Sequence, residues 1–141
     1  MKTDRTANAL ELRAAQAITS LLGQVSGVKL RTIQREPSAG GRGAEILVQL
    51  DVLGRGHTLA CEVSRDPRPC RVRACLKKLQ HLAEQREGII TPVLIAPHLS
   101  PRAQAICKQN HAGFLDLDGN ARLTLGEVFI GKRSLHQQSA A

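Results

Sequence analysis

Ala44–Ser64, AEILVQLDVLGRGHTLACEVS, decides how this chain folds: two alternating apolar runs flank Gly54-Arg55, and a Gly-X pair between strands is the signature of a two-residue type II′ turn. A turn there pairs Leu53 with Gly56, sets Glu45 opposite Ser64 and sets Leu47 opposite Glu62. Side chains alternate with period two, so these last four share one face. Glu45 and Glu62 then lie diagonally across the hairpin, within about 7 Å at the backbone. Ile46, Val48, Leu50, Leu59, Cys61 and Val63 take the other face and form a candidate core. Asp51 is the competing acid. This register sets it opposite Thr58, about 13 Å from Glu62 along the strand, and assigns it to the turn end; a different register would revive it.

Downstream, Asp66-Pro67-Arg68-Pro69 stops the strand, because proline cannot continue the ladder. Cys70–Glu87 then reads as a helix with Val72, Leu76, Leu79, Leu82 and Ala83 on its apolar stripe. Arg65, Arg68, Arg71, Arg73, Lys77 and Lys78 crowd its entry and first turns. Positive charge at a helix N-terminus opposes the macrodipole, so helix stability does not explain the placement, whereas contact with nucleic acid does. A solvated charged face is the plain alternative.

Gly88–Pro97 contains Val93–Ala96, a short continuous apolar run expected of a strand buried on both faces, and the helix before it implies a parallel crossover. Ser100-Pro101, a cap followed by proline at the first position, opens a helix through about Asn110. Gly113–Leu117 gives another strand and Asp118-Gly119-Asn120 a turn; Ala121–Leu125 and then Val128–Ile130 close the sheet. Ser134–Ala141 is a polar tail with little to bury, leaving residues 1–133 as one domain. Upstream of the hairpin, Thr3 or Asp4 caps a helix to about Gln24 with Leu10, Ala14, Ala17, Ile18 and Leu21 inward. Glu11 beside that stripe is either a solvated glutamate or an extra metal ligand. Val28–Arg35 reads as a first strand with Val28, Leu30 and Thr32 on one face. Glu36–Gly43 is a glycine-rich loop whose Arg42 could lie along a phosphate backbone; a plain connector is the alternative, and no dinucleotide fingerprint is present because a strand follows.

The chain has 141 residues, a net charge of +8 and a pI near 10.1, which favours a polyanionic partner, nucleic acid first. Phe114 and Phe129 are the only aromatics apart from histidine, which argues against a stacking platform and for recognition of backbone and duplex shape, hence duplex DNA. Cys61, Cys70, Cys75 and Cys107 show neither Cys-x-x-Cys spacing nor zinc-finger intervals to histidine. They read as small buried hydrophobes in a reducing cytoplasm. No run reaches membrane-span length, and Met1–Arg13 lacks a signal-peptide core. His57, His81, His98, His111 and His136 are scattered and read as structural or surface residues. Asp116, Asp118 and Asn120 suggest a metal site, but ordinary Asp-Gly-Asn turn chemistry is the favoured reading.

The order α-β-β-β-α-β-α-β-β, a mixed sheet flanked by helices with acids on the second and third strands, resembles the restriction-endonuclease-like fold, the PD-(D/E)xK nuclease superfamily. Within it, FLDLDGNARL, Phe114–Leu123, is similar to a Y-L-D-x-x-G-N-A block of a bacterial group related to that fold, including AbiEi-type regulators of abortive-infection toxin–antitoxin systems. The resemblance spans Ala44 to Ile130, and the GNA block is its most specific part. It places the superfamily's two metal-binding acids on Glu45 and Glu62 and its lysine on Ser64, where the match fails. Two carboxylates and a backbone carbonyl can hold Mg²⁺, but a serine hydroxyl carries no charge to offset that developing on the phosphorane. Lys77 or Lys78 is the displaced candidate. Arg65 points to the opposite face.

Three functions stay open. The first is a catalytically degenerate nucleic-acid-binding module in regulation or defence, without cofactor. The second is an Mg²⁺-dependent DNA endonuclease using Glu45 and Glu62 with Lys77 or Lys78. The third is a protein-interaction domain with a basic docking face. A homodimer or larger assembly is compatible with each.

Overall fold

The computed structural model describes residues 2–37, 44–66 and 68–133, with side chains described for 9–35, 46–66 and 68–133. The loop carrying Arg42 and the tail at 134–141 lie outside the described residues. Helix α1 (Lys2–Gly23) precedes strands β1 (Val28–Pro37), β2 (Ala44–Val52) and β3 (Arg55–Val63); helix α2 (Pro69–Glu84) leads to β4 (Ile90–Ala96); helix α3 (Pro101–Gln109) leads to β5 (Gly113–Asp116), β6 (Ala121–Leu125) and β7 (Val128–Lys132). Three strands follow α3, as the segments Gly113–Leu117, Ala121–Leu125 and Val128–Ile130 implied, because the turns at Gly119 and Gly126, both at positive φ, each reverse the chain.

All seven strands form one sheet in sequence order, with β3, β4 and β5 parallel and every other neighbouring pair antiparallel. The parallel steps follow from the helices between those strands, since a parallel return needs a crossover. Helix α1 covers one face: Ala14, Ile18, Leu21 and Leu22 meet Ile46, Val48, Leu50, Leu59, Cys61 and Val63, the hairpin core face expected from its alternation. Helices α2 and α3 cover the other, with Val72 and Leu76 against Leu94 and Phe114, and Leu79 against Leu47 and Ala60. The mixed sheet with helices on both faces, in the order α-β-β-β-α-β through β4, is the mixed α/β architecture expected from the sequence. Among the described residues no helix is long and apolar enough to cross a membrane.

Two registers depart from the sequence expectation. The β2–β3 turn is Leu53-Gly54, not Gly54-Arg55: Val52 pairs with Arg55, and both turn residues have positive φ, 51° and 85°. Positive φ at both central positions is the type I′ pattern, whose twist matches that of the flanking strands. A leucine takes this conformation because its N–H donates to the Gly27 carbonyl at 2.8 Å, anchoring the turn to the α1–β1 connection. In β1, the pairing shifts between Leu30 and Thr32, a bulge that turns Ile33 rather than Thr32 toward the core and leaves Leu30 exposed. The Thr32 hydroxyl instead donates to the Gln49 side chain at 3.1 Å.

Candidate metal and nucleic-acid site

The corrected turn tightens the acidic pair. Glu45 stands directly opposite Glu62, Leu47 faces Ala60 rather than Glu62, and Ser64 falls beyond the last pair. Directly opposed residues on one antiparallel face have Cβ atoms about 5 Å apart, closer than the diagonal first inferred. Asp51 faces Gly56 and accepts from Arg31 at 2.7 Å, so it belongs to the β1–β2 surface at the turn end. Glu11 lies partly buried on α1, on the sheet face opposite α2.

Glu62 sits near the carboxyl end of β3, aligned with Leu94 of β4, on the face covered by α2, and its side chain is only 5% exposed. Carboxylates are rarely buried this deeply unless paired. Its partner comes from α2: Lys78 Nζ lies 3.4 Å from Glu62 Oε1 while keeping 36% of its side chain exposed. Helical periodicity selects this lysine. Val72, Leu76 and Leu79 define the buried stripe, and Arg71, Cys75 and Lys78, spaced by four and three residues, run along its β3 flank. Lys77 is rotated about 100° from Lys78 and is exposed, as is Arg73. Of the two candidate lysines, the structure brings Lys78 to Glu62.

Ser64, onto which the resemblance places a lysine, has a junction-building role. Its Oγ accepts from the Asp66 N–H at 3.3 Å and also contacts the Asp66 carbonyl. Cys75 lies against the same group: burial and then the Glu62 carboxylate push its thiol up, while the Ser64 hydrogen bond, Arg71 and Lys78 pull it down. The cysteines are thus not uniformly buried. Cys61 and Cys107 are, with thiols pushed up to about 12 chiefly by desolvation, whereas Cys75 is half-buried at the site and Cys70 is exposed.

The basic residues at the α2 entry divide by engagement. Arg68 donates to both Asp66 oxygens at 2.5 to 3.0 Å and holds that carboxyl down at about 2, while Arg71 lies 3.8 Å from the same group. Asp66 also accepts the Arg68 backbone N–H, so it organises the turn into α2 where no side chain caps the helix. Arg65, Arg73 and Lys77 are exposed and make no ion pair among the described residues, leaving a cationic margin beside the Glu62 position.

A second cluster lies farther along the same carboxyl rim. His98, after β4, places Nδ1 at 2.5 Å from Asp118 Oδ2 after β5, and Asp116 is adjacent. Histidine scattered in sequence is therefore not idle in space, and only the strand order reveals this pair. Asp116 does not contribute a metal ligand: Oδ1 accepts the N–H groups of Asp118 and Asn120, and Oδ2 accepts the Leu99 N–H and the Asn120 amide, all at 2.8 to 3.0 Å. Four donors occupy the lone-pair sites of a carboxylate. The Asp-Leu-Asp-Gly-Asn segment is a turn built around one buried acid, as turn chemistry predicted.

Glu45 and Glu62 share one rung of the hairpin, and carboxylates are the hard oxygen groups that a divalent cation takes as ligands.

No protein-family model and no curated protein matches the sequence. Two solved structures are similar to it. EndoMS in apo form has a TM-score of 0.48 and 19% identity over 74% of this chain and 45% of that one. The EndoMS–dsDNA2 complex gives 0.45 and 20% over 74% and 44%. This chain thus spans less than half the length of either, and a likeness of this degree carries no inference about activity.

Proposed function

We propose that this chain binds duplex DNA along the α2 entry and cleaves it with a divalent cation held by Glu45 and Glu62, Lys78 standing in for the lysine that Ser64 does not supply. The observation that carries the reading is the approach of Lys78 Nζ to Glu62 Oε1 at 3.4 Å across the β3–α2 boundary. When bound, Mg²⁺ polarises the scissile phosphate and lowers the pKa of attacking water. The chain's own groups do the rest. Glu62, buried, fixes the ligand oxygens; Lys78, half exposed, can turn its ammonium from the carboxylate toward the phosphate and offset charge that develops there. Arg65, Arg73 and Lys77 neutralise flanking phosphates, and Arg71 shares its charge between Asp66 and the site. EndoMS, seen with double-stranded DNA, supplies a precedent of similar shape and nothing about these residues.

The second reading is DNA binding without cleavage, in regulation or defence, as the similarity to AbiEi-type regulators suggested. It is favoured by Ser64, whose hydroxyl is absorbed into the Asp66 junction.

Plasmid incubated with the purified protein and Mg²⁺ or Mn²⁺ separates the two. Cleavage that is abolished by Glu62→Gln, and reduced about 100-fold or more by Lys78→Met but little by Lys77→Met, supports the first. Salt-sensitive DNA binding with no cleavage establishes the second, and absence of binding at low salt sinks both and leaves the basic face to an acidic protein partner.

A further inference from the structure

The α2–α3 face of the sheet is not covered to its end. Beyond α3, the outward residues of β6 and β7, Arg122, Thr124, Phe129 and Gly131, have no helix over them among the described residues, while Leu123, Leu125 and Ile130 face the α1 core. The groove between α3 and this hairpin has a volume of about 350 Å³ and includes Gln104, Lys108, Arg122, Phe129 and Arg133. An adjoining hollow of about 310 Å³ shares Lys108 and Arg122 and adds His111. None of the residues lining either is acidic. Lys132 belongs to the rim by position, but its ammonium donates to Gln24 of α1, so the cations left to the groove are Lys108, Arg122 and Arg133.

At its centre lies an unusual exposure. Phe129 is 59% exposed, one of only two phenylalanines in a chain without Trp or Tyr. The ring is nonetheless held. Arg122 places its guanidinium carbon 5.1 Å from the ring centroid. Gly131, the cross-strand partner of Arg122, lies beneath the ring: a Cβ added there would come within 2.9 Å of Phe129 Cε1. Glycine is therefore what lets the aromatic lie over the strand beside the guanidinium, and any larger residue would displace it. A positioned, solvent-facing ring bordered by cations and no acids matches one ligand chemistry, an unpaired nucleotide: its base stacks on the ring and its phosphate meets the cations.

We infer that the groove between α3 and the β6–β7 hairpin is a single-stranded nucleic-acid contact, in which Phe129 stacks a base and Lys108, Arg122 and Arg133 hold the adjacent phosphates. It is four strands from Glu62, roughly 19 Å at the usual strand spacing, with α2 and α3 between. The inference does not rest on cleavage at Glu62. It revises the expectation that the scarcity of aromatics excludes stacking: one ring, held in place, is enough for one base.

The test is fluorescence anisotropy of a labelled twelve-nucleotide dT strand at low salt, with a duplex of equal length measured in parallel. Phe129→Ala is expected to weaken dT binding about 5- to 150-fold, the span reported by base stacking of this kind, and to leave duplex binding within a factor of two. Phe129→Leu, which keeps an apolar side chain but no stacking face, should weaken it similarly and controls for loss of packing. Lys108→Gln should lower the salt slope of dT binding by about 0.7. Unchanged dT affinity in both Phe129 variants, or no dT binding by the wild type, overturns the inference. Loss of dT binding on Lys78→Met with none on Phe129→Ala places the strand in the Glu62 site and overturns it too.

Discussion

Replacing Asp116 by alanine should strongly destabilise the protein, although Asp116 touches no proposed ligand. Its side chain is 2% exposed and accepts four hydrogen bonds, three of them from donors of Leu99 and Asn120, which are themselves fully buried. Alanine removes the acceptor shared by all four. A buried donor that loses its partner costs about 1–3 kcal/mol, and donors sharing one acceptor are coupled, so the sum is sub-additive: about 3–6 kcal/mol in total. Against a typical stability of about 5–15 kcal/mol this is a large share. At a urea m-value of about 2 kcal/mol/M the midpoint falls by roughly 2 M. Asp116→Asn keeps the shape and one acceptor oxygen but turns an amide donor toward other donors, so its loss should be intermediate. The assay is urea unfolding followed by circular dichroism, with and without chelator. A loss below about 1 kcal/mol for Asp116→Ala would refute the assignment of this acid as the organiser of the turn. A midpoint that drops on adding chelator and still does so in Glu62→Gln, which lacks the hairpin cation site, would refute its saturation by protein donors.

Two further outcomes follow from particular side chains. Leu53→Asn converts the β2–β3 turn to Asn-Gly, suited to positive φ at both positions, and should raise stability by up to about 1 kcal/mol in the same urea assay; a loss would show that the Leu53 side chain holds the turn more than its conformation costs. Asp66 has its carboxyl lowered to about 2 by Arg68, so its stabilising contribution is complete above the unfolded value near 4 and fades as pH falls through 2. Asp66→Asn should therefore flatten the stability profile between about pH 4 and pH 2, measured by thermal melts, without changing its shape above pH 5.

The fold was largely legible because the signals that set it are local. Alternation in β2 and β3, the Ser100-Pro101 cap, whose hydroxyl accepts the Ala103 N–H at 3.1 Å, and the apolar run of β4 each specify an element without help from the rest of the chain. What escaped depends on contacts between distant residues. Leu53 adopts positive φ because Gly27 accepts its N–H, and the β1 bulge turns Ile33 inward against a core formed by α1; neither is written in local propensity. That Glu45 and Glu62 share one face was readable from alternation, but that Lys78 rather than Lys77 approaches Glu62 needed the rotation of α2 about its buried stripe. The His98–Asp118 pair needed strand order, because the two residues meet only where parallel strands end side by side. Phe129 carried a readable sign: alternation in Val128–Lys132 sets it opposite in face to Ile130, and only the absence of a covering helix makes that position a surface.

The central claim is that Glu45 and Glu62 form the cation site. Crystals soaked in Mn²⁺ and measured for anomalous scattering should show a peak at the β2–β3 rung, with oxygen ligands from both acids at about 2.0–2.6 Å, and no such peak in Glu62→Gln. No peak at that rung, or a cation bound at His98 and Asp118 in its place, would contradict the account.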